Sequence, residues 1–146
     1  MKPIDTTDPS QADVLSFEIE LMHPPEKVWK ALTDPDLLAE WLLPTLGYRL
    51  SPGVEFQFKA EPKPGWDGIV SCRIVDIEAP TKLKYAWDVG DLNTLVTFTL
   101  TPRNAGCLLS IRQSGFKPDQ KQNFAGARFG WRMMSEELIH VLARTP

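Results

Sequence analysis

The chain has little of what catalytic and nucleic-acid-binding proteins commonly rely on. Its 146 residues include only two histidines and two cysteines, and its 16 basic side chains are outnumbered by 19 acidic ones. With a net charge of −3, the chain lacks the basic field that attracts nucleic acid or an anionic membrane surface. No apolar run approaches the roughly 18 residues that a transmembrane helix needs, and no leader-like segment opens the chain. We therefore expect no nucleic-acid partner and no membrane insertion.

The few reactive side chains do not form a recognisable catalytic or metal-binding set. His23 and His140 each lack a second ligand at metal spacing, so no metal and no cofactor is expected. Ser114 precedes a glycine but lacks the second glycine of a nucleophile elbow, which gives a hydrolase triad no support. Cys72 and Cys107 lie in strand-like runs, which favours reduced, half-buried thiols and a cytoplasmic location; a disulfide is the alternative.

Thirteen prolines divide the chain into its predicted elements, because almost none interrupts an apolar-periodic run. Residues 1–12 are polar and aperiodic, which predicts a flexible tail before a single domain at 13–146. Alternating apolar residues over 15–21 predict a first strand. Pro25 then begins a short helix, and Asp34 before a proline predicts the N-cap of a second.

The rest of the chain alternates apolar and polar residues in further short runs and ends in one long helical stretch. The short links between the runs favour a meander of antiparallel strands, and the blurred alternation near Ile74-Val75 predicts a bulge. No proline falls within residues 119–143, where a helix with one apolar stripe is expected. The pattern predicts an α+β domain in which six or seven strands face a long C-terminal helix.

A strongly twisted sheet and one helix leave a gap that must be filled by large side chains or left as a cavity. The inward positions here are mostly aromatic, which favours an internal cavity for a hydrophobic or amphipathic small molecule. The alternative is that the rings simply close the core. The candidate lining residues are Trp41, Phe56, Phe58, Trp66, Tyr85, Trp87, Phe98, Gln113, Phe116, Phe124, Arg128, Trp131 and Ser135.

Four of these candidates have a specific expected role and an ordinary alternative. Arg128 would meet a polar ligand group or pair with a carboxylate on the helix surface, and Ser135 would line the pocket or bond the preceding turn. Gln113 would orient a carbonyl or hydroxyl of the ligand, or end a surface strand. Trp66, in a loop rich in proline and glycine, would act as a lid or pack locally.

A second apolar stripe lies on the opposite side of the predicted long helix. Phe129 and Met133 share it with the small residues Gly126 and Gly130. It predicts either a weak homodimer or burial under the short helices.

Several segments together resemble a known family. The longest is HPPEKVWKALTDPDLLAEWLLP, at residues 23–44; shorter ones are PTKLKYAW at 80–87, VTFTLTP at 96–102, Ser114-Gly115-Phe116 and Gly130-Trp131. The chain is similar to the START-like superfamily, and in particular to the branch named after the activator of heat-shock protein 90 ATPase homologue. The resemblance implies a helix-grip fold, in which a curved antiparallel sheet wraps around the C-terminal helix.

For function, the resemblance implies several alternatives, because the superfamily's members bind lipids and hormones, cyclise or dehydrate polyketides, shield toxic compounds or assist a chaperone. Ligand binding is our leading expectation; the alternatives are a cyclase- or dehydratase-like enzyme and a chaperone co-regulator that acts through its surface. Members often carry a histidine where this chain has Gln113, which speaks against a histidine-based acid or base there. The second domain of the chaperone-activating members is not in this sequence.

Overall fold

The computed structural model describes residues 2–146 as one antiparallel sheet with a long helix packed on its concave side. The strands pair in the order β1-β2-β8-β7-β6-β5-β4-β3. The strands are β1 (Ile4–Asp5), β2 (Val14–Leu21), β3 (Thr45–Leu46), β4 (Glu55–Lys59), β5 (Ile69–Glu78), β6 (Lys82–Val89), β7 (Leu92–Arg103) and β8 (Gly106–Ser114). The helices are α1 (Pro25–Thr33), α2 (Pro35–Trp41) and α3 (Lys121–Arg144).

This arrangement confirms the predicted α+β helix-grip. The sheet has eight strands instead of six or seven, because two-residue strands, too short to give a periodic signal, form its two edges. Strands β4 to β8 form the expected meander, and β2 closes it by pairing with β8. The register of β5 against β6 shifts between Ile74 and Asp76, at the predicted bulge.

The N-terminal segment contributes β1, which pairs with β2 through Ile4 opposite Glu18 and Asp5 opposite Phe17. This pairing places part of the expected tail on the sheet edge; residue 1 lies outside the described residues. The flexibility of the segment and the domain boundary after residue 12 stay predictions.

The two short helices begin where the sequence predicts. Pro25 occupies the first turn of α1, and the Asp34 side chain accepts a hydrogen bond of 2.9 Å from the Asp36 amide at the start of α2. Trp41, at the end of α2, donates its indole N–H to the Ala31 carbonyl of α1 at 2.8 Å. That bond fixes the angle between the helices and satisfies the buried indole.

Helix α3 begins at Lys121, two residues after the predicted start, because the chain turns at Lys117–Gln120 first. The buried Gln120 side chain accepts from the Lys117 amide at 2.9 Å and donates to the Asp91 carbonyl at 3.2 Å. Gly115 makes the approach to this turn with a φ of 106°, where a Cβ would lie 2.9 Å from the Asn93 carbonyl oxygen. Within residues 2–146, no helix is both long enough and apolar enough to cross a membrane.

Candidate binding site in the interior

The space between the sheet and α3 is occupied by aromatic rings that pack against one another. Strands β4, β6 and β7 each project inward-facing rings, and α3 adds Trp131. Neighbouring ring centroids lie between 5.0 Å, for Tyr48 and Phe56, and 6.3 Å, for Trp41 and Phe98. The cluster comprises Trp41, Tyr48, Phe56, Phe58, Tyr85, Trp87, Phe98 and Trp131. These rings form the core, so a guest there must be small or must displace a ring.

At one end of the cluster, buried polar groups are hydrogen-bonded to one another. The Gln113 amide donates to the Thr94 hydroxyl at 2.9 Å and accepts from the Trp131 indole at 2.8 Å. The Thr94 hydroxyl in turn donates to the Trp87 carbonyl at 2.6 Å. We call this set of Gln113, Thr94, Trp131 and the Trp87 carbonyl the glutamine tie. It joins α3 to β6, β7 and β8, and it engages both the nitrogen and the oxygen of the Gln113 amide in hydrogen bonds within the protein.

At the other end, buried hydroxyls have no partner among the described residues. Tyr48 and Tyr85, which we call the tyrosine pair, carry these hydroxyls, and a third unpaired buried hydroxyl belongs to Ser135, one turn after Trp131 on α3. Tyr85 is 2% exposed and Ser135 is fully buried. Each buried polar group without a hydrogen bond lowers the free energy of unfolding by about 1–3 kcal/mol. Three such groups in one core therefore destabilise the fold appreciably.

Burial and neighbouring acidic groups keep this end of the core protonated. Burial, with a smaller contribution from Asp34, raises the pKa of Tyr48 to about 12. Burial also raises the pKa of Tyr85 well above its ordinary value, and nearby Cys72 and Tyr48 raise it further. The pKa of the Cys72 thiol rises through burial and through the Asp88 carboxylate. At neutral pH these groups are therefore hydrogen-bond donors, and none is an activated nucleophile.

Sequence reasoning missed Tyr48, Thr94 and Cys72 as members of these clusters. Thr94 and Cys72 occupy inward positions of β7 and β5, so strand parity alone could have placed them inside. Tyr48 follows Gly47 in the irregular stretch between β3 and β4, where no periodicity exists to reveal the direction of a side chain.

Arg128 lies beside α3's buried stripe but outside the aromatic cluster. Its guanidinium donates to the Asp5 carboxylate of β1, and Arg132 approaches the same oxygen at 3.7 Å. Burial opposes ionisation of Asp5, but hydrogen bonds from Thr7 and Arg128 outweigh it and lower its pKa. Arg128 is thus paired with Asp5 of β1 and not with a carboxylate along its own helix, and this ion pair holds the N-terminal strand against α3.

The remaining predicted lining residues lie at the margins. Trp66 is half-buried, and its indole donates to the Ile69 carbonyl at 3.0 Å, which is local packing within its loop. Phe116 and Phe124 are buried against each other beside the Gln120 turn, with centroids 5.1 Å apart. The structure therefore separates both groups from the tyrosine pair.

Two hollows are open at the surface. One of about 460 Å³ lies between the N-terminal segment and α3, and its lining residues are Lys2, Pro3, Arg132, Glu136, Ile139 and His140. The other, of about 340 Å³, lies at the edge formed by β3, β4 and β5, and its lining residues are Leu46, Gly47, Glu55, Phe56, Gln57, Ser71 and Cys72. Of the predicted lining residues, Phe56 alone contributes to either hollow.

The carboxylates of Glu40 and Asp88 lie outside the ring cluster. Glu40 pairs with Arg144 at 3.2 Å on the surface, and Asp88 lies opposite Ser71 on the outer side of the sheet. Residues 2–146 contain no group of three or more histidine, cysteine or acidic side chains that could hold a metal ion. Cys72 and Cys107 are free and buried.

Phe129 and Met133 lie on the outer side of α3, where they are 64% and 51% exposed. The short helices do not cover them, which removes one of the two predicted explanations. The homodimer stays a prediction that sedimentation at high protein concentration tests.

Solved structures share this architecture over nearly the whole chain. Protein MLL2253 from Mesorhizobium loti is 37% identical, with a TM-score of 0.85 over 91% of this chain and 98% of its own. CalU16 from Micromonospora echinospora is 22% identical, with a TM-score of 0.75 over 97% of this chain and 84% of its own. DynU16, a protein in the dynemicin biosynthetic locus, is 20% identical, with a TM-score of 0.75 over 90% of this chain and 48% of its own.

The search of curated proteins finds no match. The family model for activator of Hsp90 ATPase homolog 1-like proteins matches residues 22–143, which include every element of the grip except β1 and β2 and the extreme end of α3. This match confirms the resemblance seen in the sequence: the chain belongs to the family of activator of Hsp90 ATPase homolog 1-like proteins.

Proposed function

We propose that the protein binds a small, mostly apolar molecule in the core between the sheet and α3. The observation that carries the proposal is that three buried hydroxyls, on Tyr48, Tyr85 and Ser135, have no partner among the described residues, and that the two tyrosines pack on the same ring, Phe56. In native cores such groups are rare and call for an explanation, and a bound guest supplies one. The helix-grip is, in addition, a fold of the small-molecule-binding kind.

The aromatic lining favours an apolar guest. Phe56 contacts both Tyr48 and Tyr85 edge-on, with centroids 5.0 and 5.6 Å away, so a molecule beside the hydroxyls would rest against ring faces and edges. Such walls, with few polar groups among them, are typical of ligand pockets. Because the rings already pack closely, a guest of one or two rings enters only if a ring side chain moves aside, and a larger guest is excluded.

Thermal unfolding in the presence of small bicyclic compounds tests the proposal. Indane at ten times its dissociation constant should stabilise the native state by roughly 1.4 kcal/mol, which raises Tm by a few degrees for a domain of this size. Native mass spectrometry of the freshly purified protein should detect a bound guest directly. Loss of all stabilisation across a panel of indane, naphthalene and their oxygenated derivatives would refute the proposal.

The exposed patch at Phe129 and Met133 offers the probe a competing apolar surface. The variant Phe129→Ser therefore serves as the control. Binding in the core predicts the same rise in Tm for this variant as for the unmodified protein, whereas adsorption to α3 predicts a smaller one.

A further inference from the structure

We infer that Tyr48 and Tyr85 form a pair of donors for one neutral oxygen acceptor, a carbonyl or ether oxygen, on an otherwise apolar guest. The inference rests on the proposed function and specifies the class of molecule that the core selects. It assigns recognition to two side chains from distant parts of the chain, one in the irregular stretch after β3 and one in β6.

The two side chains meet on a common neighbour. Both rings pack edge-on against Phe56, at interplanar angles of 87° and 79°. Cys72 lies directly opposite Phe56 in the register of β4 and β5, and Ile74, two residues further along β5, lies opposite Tyr85. Tyr48, Tyr85 and Cys72 are thus grouped around one ring, where Tyr48 and Cys72 are close enough to influence the ionisation of Tyr85.

Both hydroxyls have hydrogen-bonding capacity to spare. Neither oxygen has a partner among the described residues, although both are buried. Since burial keeps the phenols protonated, each can donate one hydrogen bond at neutral pH. A carbonyl oxygen has two lone pairs and can accept one hydrogen bond from each tyrosine. A single carbonyl would therefore satisfy both hydroxyls.

The charges around the pair argue against an anionic guest. Two carboxylates raise pKa values in this cluster: Asp34 acts on Tyr48, and Asp88, from the outer side of the sheet, acts on Cys72. A guest carboxylate would lose its hydration among the buried rings, and these carboxylates would repel it. The same geometry therefore selects a ketone, quinone, ester or ether over a fatty acid.

The surface hollow at the edge of β3, β4 and β5 adjoins this site. Phe56 and Cys72 both line it, and its volume of about 340 Å³ is in the range of pockets that hold small molecules. The site is thus next to the solvent-open part of the sheet edge, whereas the glutamine tie lies at the opposite end of the ring cluster.

Three matched probes test the inference: 1-indanone, indane and indane-1-carboxylate, which share one ring system and differ in the oxygen group. Their dissociation constants are measured by titration of tryptophan fluorescence and by ligand-observed NMR. Two net hydrogen bonds predict that 1-indanone binds about tenfold tighter than indane, and that the carboxylate binds no better than indane.

The variants Tyr48→Phe and Tyr85→Phe keep the rings and remove one donor each. Each should bring the affinity for 1-indanone closer to that for indane, and the double variant should abolish the preference while indane binding stays unchanged. Thr94→Val, which removes a buried hydroxyl from the glutamine tie instead, should keep the preference. Near-ultraviolet circular dichroism verifies that each variant is folded. If Tyr85→Phe does not fold, Tyr48→Phe alone tests the inference.

The outcomes separate this inference from the proposed function. Equal affinities for 1-indanone and indane, or a preference that survives the double variant, would overturn the donor pair and leave the apolar binding site intact. Tighter binding of the carboxylate would overturn it as well. Failure of all three probes to bind would overturn the proposed function and the donor pair together.

Discussion

The two polar ends of the core differ in hydrogen bonding, although both are buried among aromatic rings. In the glutamine tie, every donor that the structure describes has an acceptor within 2.6–2.9 Å. In the tyrosine pair, neither hydroxyl has a partner among the described residues. Satisfied polar networks stabilise and specify a fold, whereas unsatisfied ones reduce stability and persist where something else makes use of them. The comparison teaches that the first end holds the structure together and that the second is available for recognition.

The largest effect should follow from breaking the glutamine tie. Gln113→Ala removes the acceptor of the Trp131 indole and the donor to Thr94, and it leaves a cavity beneath α3. We expect a loss of about 2–4 kcal/mol in the free energy of unfolding, measured by urea denaturation with an unchanged m-value. Gln57→Ala, on the outer side of β4, is the matched control and should cost less than about 0.5 kcal/mol. Equal effects of the two changes would show that Gln113 is not a structural tie.

A smaller loss is expected when only one hydroxyl of the tie is removed. Thr94→Val preserves shape but deletes the bond to the Trp87 carbonyl and leaves the Gln113 amide without its acceptor. The free energy of unfolding should fall by about 1–3 kcal/mol in the same urea experiment. A variant as stable as the unmodified protein would mean that the tie carries no stability.

Removing one hydroxyl from the tyrosine pair should not lower the free energy of unfolding in this way. Tyr85→Phe removes a buried hydroxyl that lacks a partner among the described residues, so stability without ligand should stay within about 0.5 kcal/mol or increase slightly. The contrast with Thr94→Val is the sharpest form of the comparison, because each change deletes one hydroxyl from the same core. A loss above about 1 kcal/mol for Tyr85→Phe would contradict it.

A small effect that depends on pH is expected at the N-terminal strand. Hydrogen bonds from Thr7 and Arg128 lower the pKa of Asp5 despite its burial, so its ionised form stabilises the folded state. That contribution is fully present above the unfolded-state value of 3.8 and is lost as pH falls through the lower folded-state pKa. Asp5→Asn should therefore cost less than about 1 kcal/mol at neutral pH and nothing in strong acid. The exposed Asp13→Asn is the control, and a pH-independent cost for Asp5→Asn would contradict the account.

The sequence could predict the grip because its local signals agree with one another. Pro25 and Asp34 begin the two short helices, alternation marks the long strands, and the blurred pattern at Ile74 and Val75 marks the bulge. The edge strands β1 and β3 escaped prediction because two residues cannot show a period.

The site was harder to predict, because strand parity tells which side chains face inward but not which partners they find. For Gln113, parity left a ligand contact and a surface strand end as alternatives, and its bonds to Thr94 and Trp131 depend on a distance between sheet and helix that no local pattern encodes. Tyr48 lies in irregular chain, and its position beside Phe56 is set by tertiary structure alone. For the same reason, the Asp5 partner of Arg128 could not be identified, since 123 residues separate them in the chain.

The difference between the two ends can be measured within one sample by NMR, with 13C at the Cζ of tyrosine and 15N in the tryptophan indoles. Titration with 1-indanone should shift the Tyr48 and Tyr85 signals and leave the Trp131 indole N–H, which is held by Gln113, in place. A shift of the Trp131 signal with both tyrosines unmoved would contradict the assignment of recognition to one end and structure to the other.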